Sequence, residues 1–239
     1  MKTLLRISLW GTLPILLYGV LLSFPQPLFA FSARSGNLTL YSDHPLEPAA
    51  AERVLRLAQQ KLERSSLYAE RPAVTIFICN APWRQVLFFN RNYGVGGVAP
   101  VPLNNVFLRD ADVVNNLLIS PAGTPVAPDR PLDYFIAHEV THVLTGNAVG
   151  AWGFYRLPRW AREGYADYVG KGGSFDYAGA RAAFLADEPK MDYSKSGLYL
   201  RFHMLVLCAL QHQHWTVEQL LTNAPSQEQA EAWVRTELQ

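Results

Sequence analysis

Read for the spacing of its apolar side chains, the chain changes character twice. An uncharged, mainly apolar run from Ile7 to Phe24 follows Lys2 and Arg6, and the next charge is Arg34. A basic flank before such a run is the pattern of an export signal or an N-terminal membrane anchor. The positive flank is expected to stay cytoplasmic. Everything after it is then expected to be extracytoplasmic: secreted, periplasmic or tethered to the membrane. Residues 1–33 are assigned to this segment and residues 34–239 to the folded domain. Ala30, Ser32 and Ala33 offer cleavage positions; cleaved and uncleaved forms both stay open.

Short alternating segments and helical periodicity then take turns. Asn37 to Tyr41 reads as a strand, and Pro48 to about Ser65 as a helix with Val54, Leu57, Ala58 and Leu62 on one stripe. Ala73 to Cys79, rich in β-branched and aromatic residues, is a second strand. An irregular stretch containing Gly94, Gly96 and Gly97 leads to a further short strand, Asn105 to Arg109. The proline-rich segment from Ser120 to Pro131 is expected to be a loop.

After Pro131 helical spacing dominates. Helices are expected from Pro131 to Thr145, closed by Gly146, and from Pro158 to Val169, closed by Gly170. Ser196 to Gln211 is apolar on most sides and should be a buried helix. Thr216–Gln219 and Ser226–Gln229 resemble capping boxes opening two final helices. This order predicts an α+β protein, with an N-terminal mixed sheet, a helical C-terminal lobe and a cleft between them.

Charge removes one class of partner. With 21 basic against 20 acidic residues in 239, the chain lacks the basic excess that nucleic acid demands, so none is expected as a partner. Cys79 and Cys208 each lie in an apolar run and are expected as buried free thiols. Trp152, Phe154, Tyr155 and Trp160 are expected to serve packing.

The candidate chemistry lies in His138-Glu139-Val140-Thr141-His142. Residues four apart share one helix face, so both imidazoles can converge on a metal ion. Glu139 falls beside that point, where a general base would take a proton from the attacking water. The surrounding positions Phe135, Ile136, Val140, Val143 and Leu144 are apolar, and unpaired polar groups buried among them would be costly. Glu163 on the next helix offers a third ligand. Asp167, four residues on, could accept a hydrogen bond from the outer nitrogen of a ligating histidine.

The HEVTH segment, followed by Pro158, Trp160, Glu163, Gly164, Ala166 and Tyr168 in a PxWxxEGxAxY pattern, resembles the gluzincin metallopeptidases, in particular the small peptidase MA-like group. The resemblance implies a zincin-like fold with Zn²⁺ on His138, His142 and Glu163, Glu139 as base and Asp167 supporting a ligand. It also implies a peptide or protein substrate lying along the edge strand of the first lobe, expected at Asn105 to Arg109. The segment Asp192 to Gly197 resembles the tyrosine segment of aminopeptidase-like gluzincins, which implies Tyr193 as the oxyanion donor; Tyr199 and His203 are its rivals. The expected function is therefore that of a zinc peptidase. Two alternatives stand beside it: a zinc hydrolase of a non-peptide bond, and a non-catalytic, membrane-tethered binding or assembly factor.

Overall fold

The computed structural model describes residues 2–126 and 129–238, and side chains from residue 13 onward except that of Arg91. The side chains of the basic flank Lys2 and Arg6 and of the start of the apolar run, and Ala127 and Pro128 of the expected loop, lie outside what is described. The first half of the chain holds α1 (Lys2–Ser23), β1 (Phe31–Ser35), β2 (Leu38–Ser42), α2 (Pro48–Leu62), β3 (Val74–Ile78), α3 (Pro82–Phe89), β4 (Gly97–Val98) and β5 (Asn105–Leu108). A small hairpin, β6 (Ala111–Asp112) and β7 (Leu117–Leu118), follows. The rest is helical: α4 (Leu132–Arg156), α5 (Arg159–Lys171), α6 (Tyr177–Leu185), α7 (Tyr193–Ser196), α8 (Leu200–Leu207), α9 (Val217–Asn223) and α10 (Gln227–Leu238). The architecture is mixed α/β, a five-stranded mixed sheet followed by a helical C-terminal part.

The sheet runs β1-β2-β3-β5-β4, with β2, β3 and β5 parallel and the two outer strands antiparallel. Parallel β2 and β3 need a crossover. Helix α2 supplies it, capped by the Glu47 carboxylate on the Ala49 and Ala50 amides. Alternation sorts the two faces of the sheet. Val74, Ile76 and Ile78 of β3, with Val106 and Leu108 of β5, enter the main core with Val54, Leu55 and Leu62 of α2. Phe77 and Phe107 point the other way and stack with ring centroids 5.3 Å apart, joined by Phe29 and Phe88. Asn105–Leu108 is thus an interior strand, and the edge on its side of the sheet is the two-residue β4, correcting the expected edge at Asn105 to Arg109.

Strand β1 begins at Phe31, across the boundary expected at residue 33, and pairs with β2 throughout. The described half of α1 rests on the same side of the sheet as Phe77. Tyr18 donates its hydroxyl hydrogen to Leu87 O at 2.9 Å, and Asn105 Nδ2 donates to Leu22 O at 2.7 Å. Leu13, Ile15, Leu16, Leu17 and Val20 remain exposed. Among the described residues, no helix is long and apolar enough to cross a membrane.

Helix α4 does not stop at Gly146. That residue lies so close to Val101 that an added Cβ would meet Cγ1 at 2.5 Å, so glycine there provides space rather than a helix end. The break falls at Gly150, whose φ of 72° is left-handed. The segment after the break turns outward, leaving Trp152 and Tyr155 exposed while Phe154 and Trp160 are buried; packing therefore accounts for only two of those four aromatics. The expected long helix from Ser196 instead begins at Leu200, because left-handed Gly197 separates it from the single turn of α7, and it ends as a π-helix over Cys208–His212. Both capping boxes form, on Thr216 and Gln219 and on Ser226 and Gln229. Cys79 and Cys208 are free and buried.

Candidate metal centre

Helix α4 carries fifteen consecutive buried positions from Leu132 to Gly146, pressed between the sheet, α2 and α5. His138, Glu139 and His142 sit within this apolar rod, at 4%, 7% and 7% exposure. One helical turn separates the imidazoles, whose rings meet edge to face at 4.9 Å. Glu163 comes from α5, packed alongside. Its Oε2 lies 3.6 Å from His138 Nε2 and 3.4 Å from His142 Nε2.

These separations can be tested against a metal ion. Ligands about 2.0–2.1 Å from a tetrahedral ion lie roughly 3.3–3.4 Å apart. The Glu163–His142 distance matches that edge and the Glu163–His138 distance is about 0.2 Å longer, and all three donor atoms fall within 4.8 Å of one another. The group could therefore hold a metal ion. Arg162 Nε donates to Glu163 Oε1 at 3.2 Å, which leaves Oε2 to the imidazoles. Burial would raise the Glu163 carboxyl. His142 and His138, through charge and hydrogen bonds, outweigh it and hold the group well below the usual carboxylate range.

Glu139 lines the same cleft, of about 850 Å³, without joining the cluster. Burial, with a smaller push from the Glu163 carboxylate, raises its carboxyl to about 7 against the pull of His138. Gly97 of the edge strand lies against it. A Cβ there would stand 2.7 Å from Glu139 Cγ and 2.7 Å from Leu108 Cδ2. Only glycine lets the strand approach so closely. The Gly94–Gly97 cluster was the available signal for this contact, although turn-forming glycines look the same in a sequence.

Asp167 is not where the spacing placed it. Its oxygens accept from the Tyr134 hydroxyl at 2.5 Å and from His203 Nδ1 at 2.8 Å. Among the described residues, neither His138 Nδ1 nor His142 Nδ1 has a hydrogen-bond partner. The reason is Tyr134, one turn before His138 on α4. Its ring packs 5.7 Å from that imidazole, and its hydroxyl takes the carboxylate that a ligand histidine would have used. Asp167 thus ties α4, α5 and α8 together. Burial raises its carboxyl, and the bonds from His203 and Tyr134 overcome that and lower it.

The three candidate oxyanion donors separate clearly. His203 is buried against Phe175, with rings 3.6 Å apart, and is absent from the cleft lining. Tyr193 and Tyr199 both line it. Tyr199 stacks on His138 at 5.4 Å, and Tyr193 stacks on Tyr199 at 4.8 Å. Burial first, then the Glu163 carboxylate, pushes the Tyr199 hydroxyl up, so it stays protonated and able to donate. Phe154 closes another side, edge-on to His142 at 5.7 Å. It lies beyond the Gly150 break, where no periodicity could have placed it. No protein family, no curated protein and no solved structure matches the chain.

Proposed function

We propose that the chain is a zinc-dependent peptidase of the gluzincin type on a zincin-like fold, hydrolysing amide bonds of a peptide or protein substrate. The observation that carries this reading is the juxtaposition in one cleft of His138, His142 and Glu163, whose Oε2 lies 3.6 and 3.4 Å from the two Nε2 atoms, with a buried Glu139 outside the ligand set. His138, His142 and Glu163 would hold the ion. When bound, zinc supplies Lewis acidity to the carbonyl and to water.

The remaining work falls to this chain's own side chains. Glu139 accepts a proton at its carboxylate as the water oxygen attacks the carbonyl carbon, and returns it to the amine nitrogen as the C–N bond breaks. A carboxylate beside the cluster and outside the ligand set is positioned to take a proton and then give it back. The Tyr199 hydroxyl donates to the carbonyl oxygen as charge develops there, with Tyr193 behind it. Edge strand β4 leaves one side unpaired within the sheet. An extended substrate can add to such an edge by main-chain hydrogen bonds, which would bring it past Glu139.

The same reading places the domain outside the cytoplasm, with α1 as leader or anchor. Supporting it are the apolar run from Ile7 to Phe24 and the exposed Leu13, Ile15, Leu16, Leu17 and Val20. The test is elemental analysis of the purified chain together with turnover of a peptide library, with and without a chelator. About one zinc per chain, with hydrolysis lost on chelation and restored by zinc, is the expected result. Zinc without turnover of any peptide would discard the peptidase reading in favour of a binding role or a non-peptide substrate.

A further inference from the structure

The metal cluster is not the only charged feature of its cleft. Arg109, Arg130, Arg159 and Arg162 line it, whereas Glu139 and Glu163 are its only acidic lining among the described residues. Across the whole chain basic and acidic residues nearly cancel, 21 against 20, so the excess is local. Two of the four arginines are already occupied. Arg109 donates to Tyr93 O, Val95 O and Gln85 Oε1, and Arg162 to Glu163.

Arg130 and Arg159 are different: among the described residues neither is in an ion pair. The Arg159 guanidinium carbon lies 4.1 Å over the Tyr193 ring. It is the last rung of a stack that runs from His138 through Tyr199 and Tyr193. Arg130 Nη1 donates to Gly197 O at 3.3 Å, on the turn between the two tyrosines. Its Nε is buried without a hydrogen-bond partner among the described residues. Two guanidinium groups thus attach to the same tyrosine-bearing wall, one of them with a donor unsatisfied. A buried donor without an acceptor is unfavourable and marks a place where an acceptor belongs.

We propose that Arg130 and Arg159 form a carboxylate-binding subsite on the Tyr193–Tyr199 wall, selecting peptides with an acidic side chain or a free C-terminal carboxylate beside the cleaved bond. The proposal rests on the peptidase reading for its substrate class. The planar guanidinium fork matches a carboxylate's two oxygens. The stacked tyrosine beneath Arg159 orients its fork while leaving the charge uncancelled. A cleft lined by one sign of charge concentrates ligands of the other.

Binding separates this proposal from catalysis. The full-length Glu139→Gln chain, loaded with zinc, is titrated by calorimetry with peptides of equal length and otherwise identical sequence. One set has Asp at each position in turn and an amidated C-terminus; a second peptide is neutral and amidated; a third is neutral with a free C-terminal carboxylate. The expected result is that an Asp peptide, the free-carboxylate peptide or both bind about 10-fold tighter than the neutral amide. Which arm responds identifies the source of the carboxylate. The margin should shrink as salt rises from about 50 to about 300 mM. It should fall to about twofold or less in Arg130→Gln/Arg159→Gln, and survive in part in Arg130→Lys/Arg159→Lys, which keeps the charge without the fork.

Equal affinities across the peptides, no measurable binding by any of them, or a margin unchanged in the glutamine variant would overturn the proposal. If the glutamine variant fails to fold, the wild-type-arginine peptide comparison and its salt dependence still decide. Hydrolysis is measured separately with Glu139 intact. A preserved margin without hydrolysis removes the peptidase reading alone, and hydrolysis without a margin removes the subsite alone.

Discussion

Tyr199 lies over His138 with ring centroids 5.4 Å apart and planes 14° from parallel, while Tyr193 stacks in turn on Tyr199. The hydroxyl-bearing ring stacked on a side chain of the candidate metal cluster is therefore the one at the start of α8, and the proposed oxyanion role moves to it from Tyr193. Tyr199→Phe keeps the stack and loses only the donor. It is expected to retain fold and zinc while lowering kcat about 10²-fold, with little change in KM. Tyr193→Phe should cost less. Steady-state kinetics on both variants decide, and a large kcat loss confined to Tyr193→Phe would return the role there.

Ligand removal has a sharper signature. In His138→Ala, His142→Ala and Glu163→Ala one vertex of the cluster is gone, and each should lose stoichiometric zinc when dialysed against a mild chelator. Elemental analysis is the readout. Full zinc content in all three would mean that the ion, if any, sits elsewhere.

Glu139→Gln preserves shape and removes the proton acceptor, so zinc stays and turnover falls by at least about 10²-fold. Wild-type rates in that variant would sink the mechanism.

Gly97→Ala approaches the same carboxylate from outside. The new methyl would meet Glu139 Cγ and Leu108 Cδ2 at 2.7 Å. Displacing a base by even about 1 Å can cost up to about 10²-fold. Zinc binding should be unchanged while kcat falls about 10- to 10²-fold. Full activity in Gly97→Ala would show that β4 yields without moving Glu139.

The contrast between Glu163 and Asp167 shows what a sequence discloses here. The four-residue step from His138 to His142 fixes a shared face by helix geometry alone. Twenty-odd residues on, Glu163 reaches the same point because α5 returns along α4. The partner of Asp167 depends instead on a third body. Tyr134 stands between Asp167 and the imidazoles and α8 brings His203 to its other oxygen, and neither contact has a local periodicity. Strand β4 is illegible for another reason: two residues cannot display alternation, so the edge implied by the resemblance is placed on Asn105 to Arg109 and not on its neighbour β4. Helix α2 and strand β3 are legible because the stripe through Val54, Ala58 and Leu62 and the β-branched and aromatic run from Ala73 to Cys79 each span enough residues to show their pattern.

The last prediction concerns the joint between β2, β3 and α3, remote from the chemistry. Asp43 Oδ1 accepts from Asn80 N at 2.9 Å and Asn80 Nδ2 at 2.7 Å. Its Oδ2 accepts from Ala81 N at 2.9 Å and Arg84 Nη1 at 3.0 Å. Arg84 in turn donates to Leu28 O, fastening the segment before β1. Burial would raise the Asp43 carboxyl, but the amides of Ala81 and Asn80, the Asn80 side chain and Arg84 together hold it below its ordinary 3.8. A carboxylate with a depressed folded pKa stabilises the fold fully above its unfolded value, and that contribution is lost as pH falls through the folded one. Asp43→Asn, which strands part of this donor set, should therefore cost about 2–4 kcal/mol at pH 7. The gap to wild type should narrow from about pH 4 downward. Urea denaturation of both proteins across that range measures it, and the pH response of the metal cluster, common to the two, cancels in the difference. A gap that stays constant down to about pH 2 would show that the Asp43 carboxylate does not govern this joint.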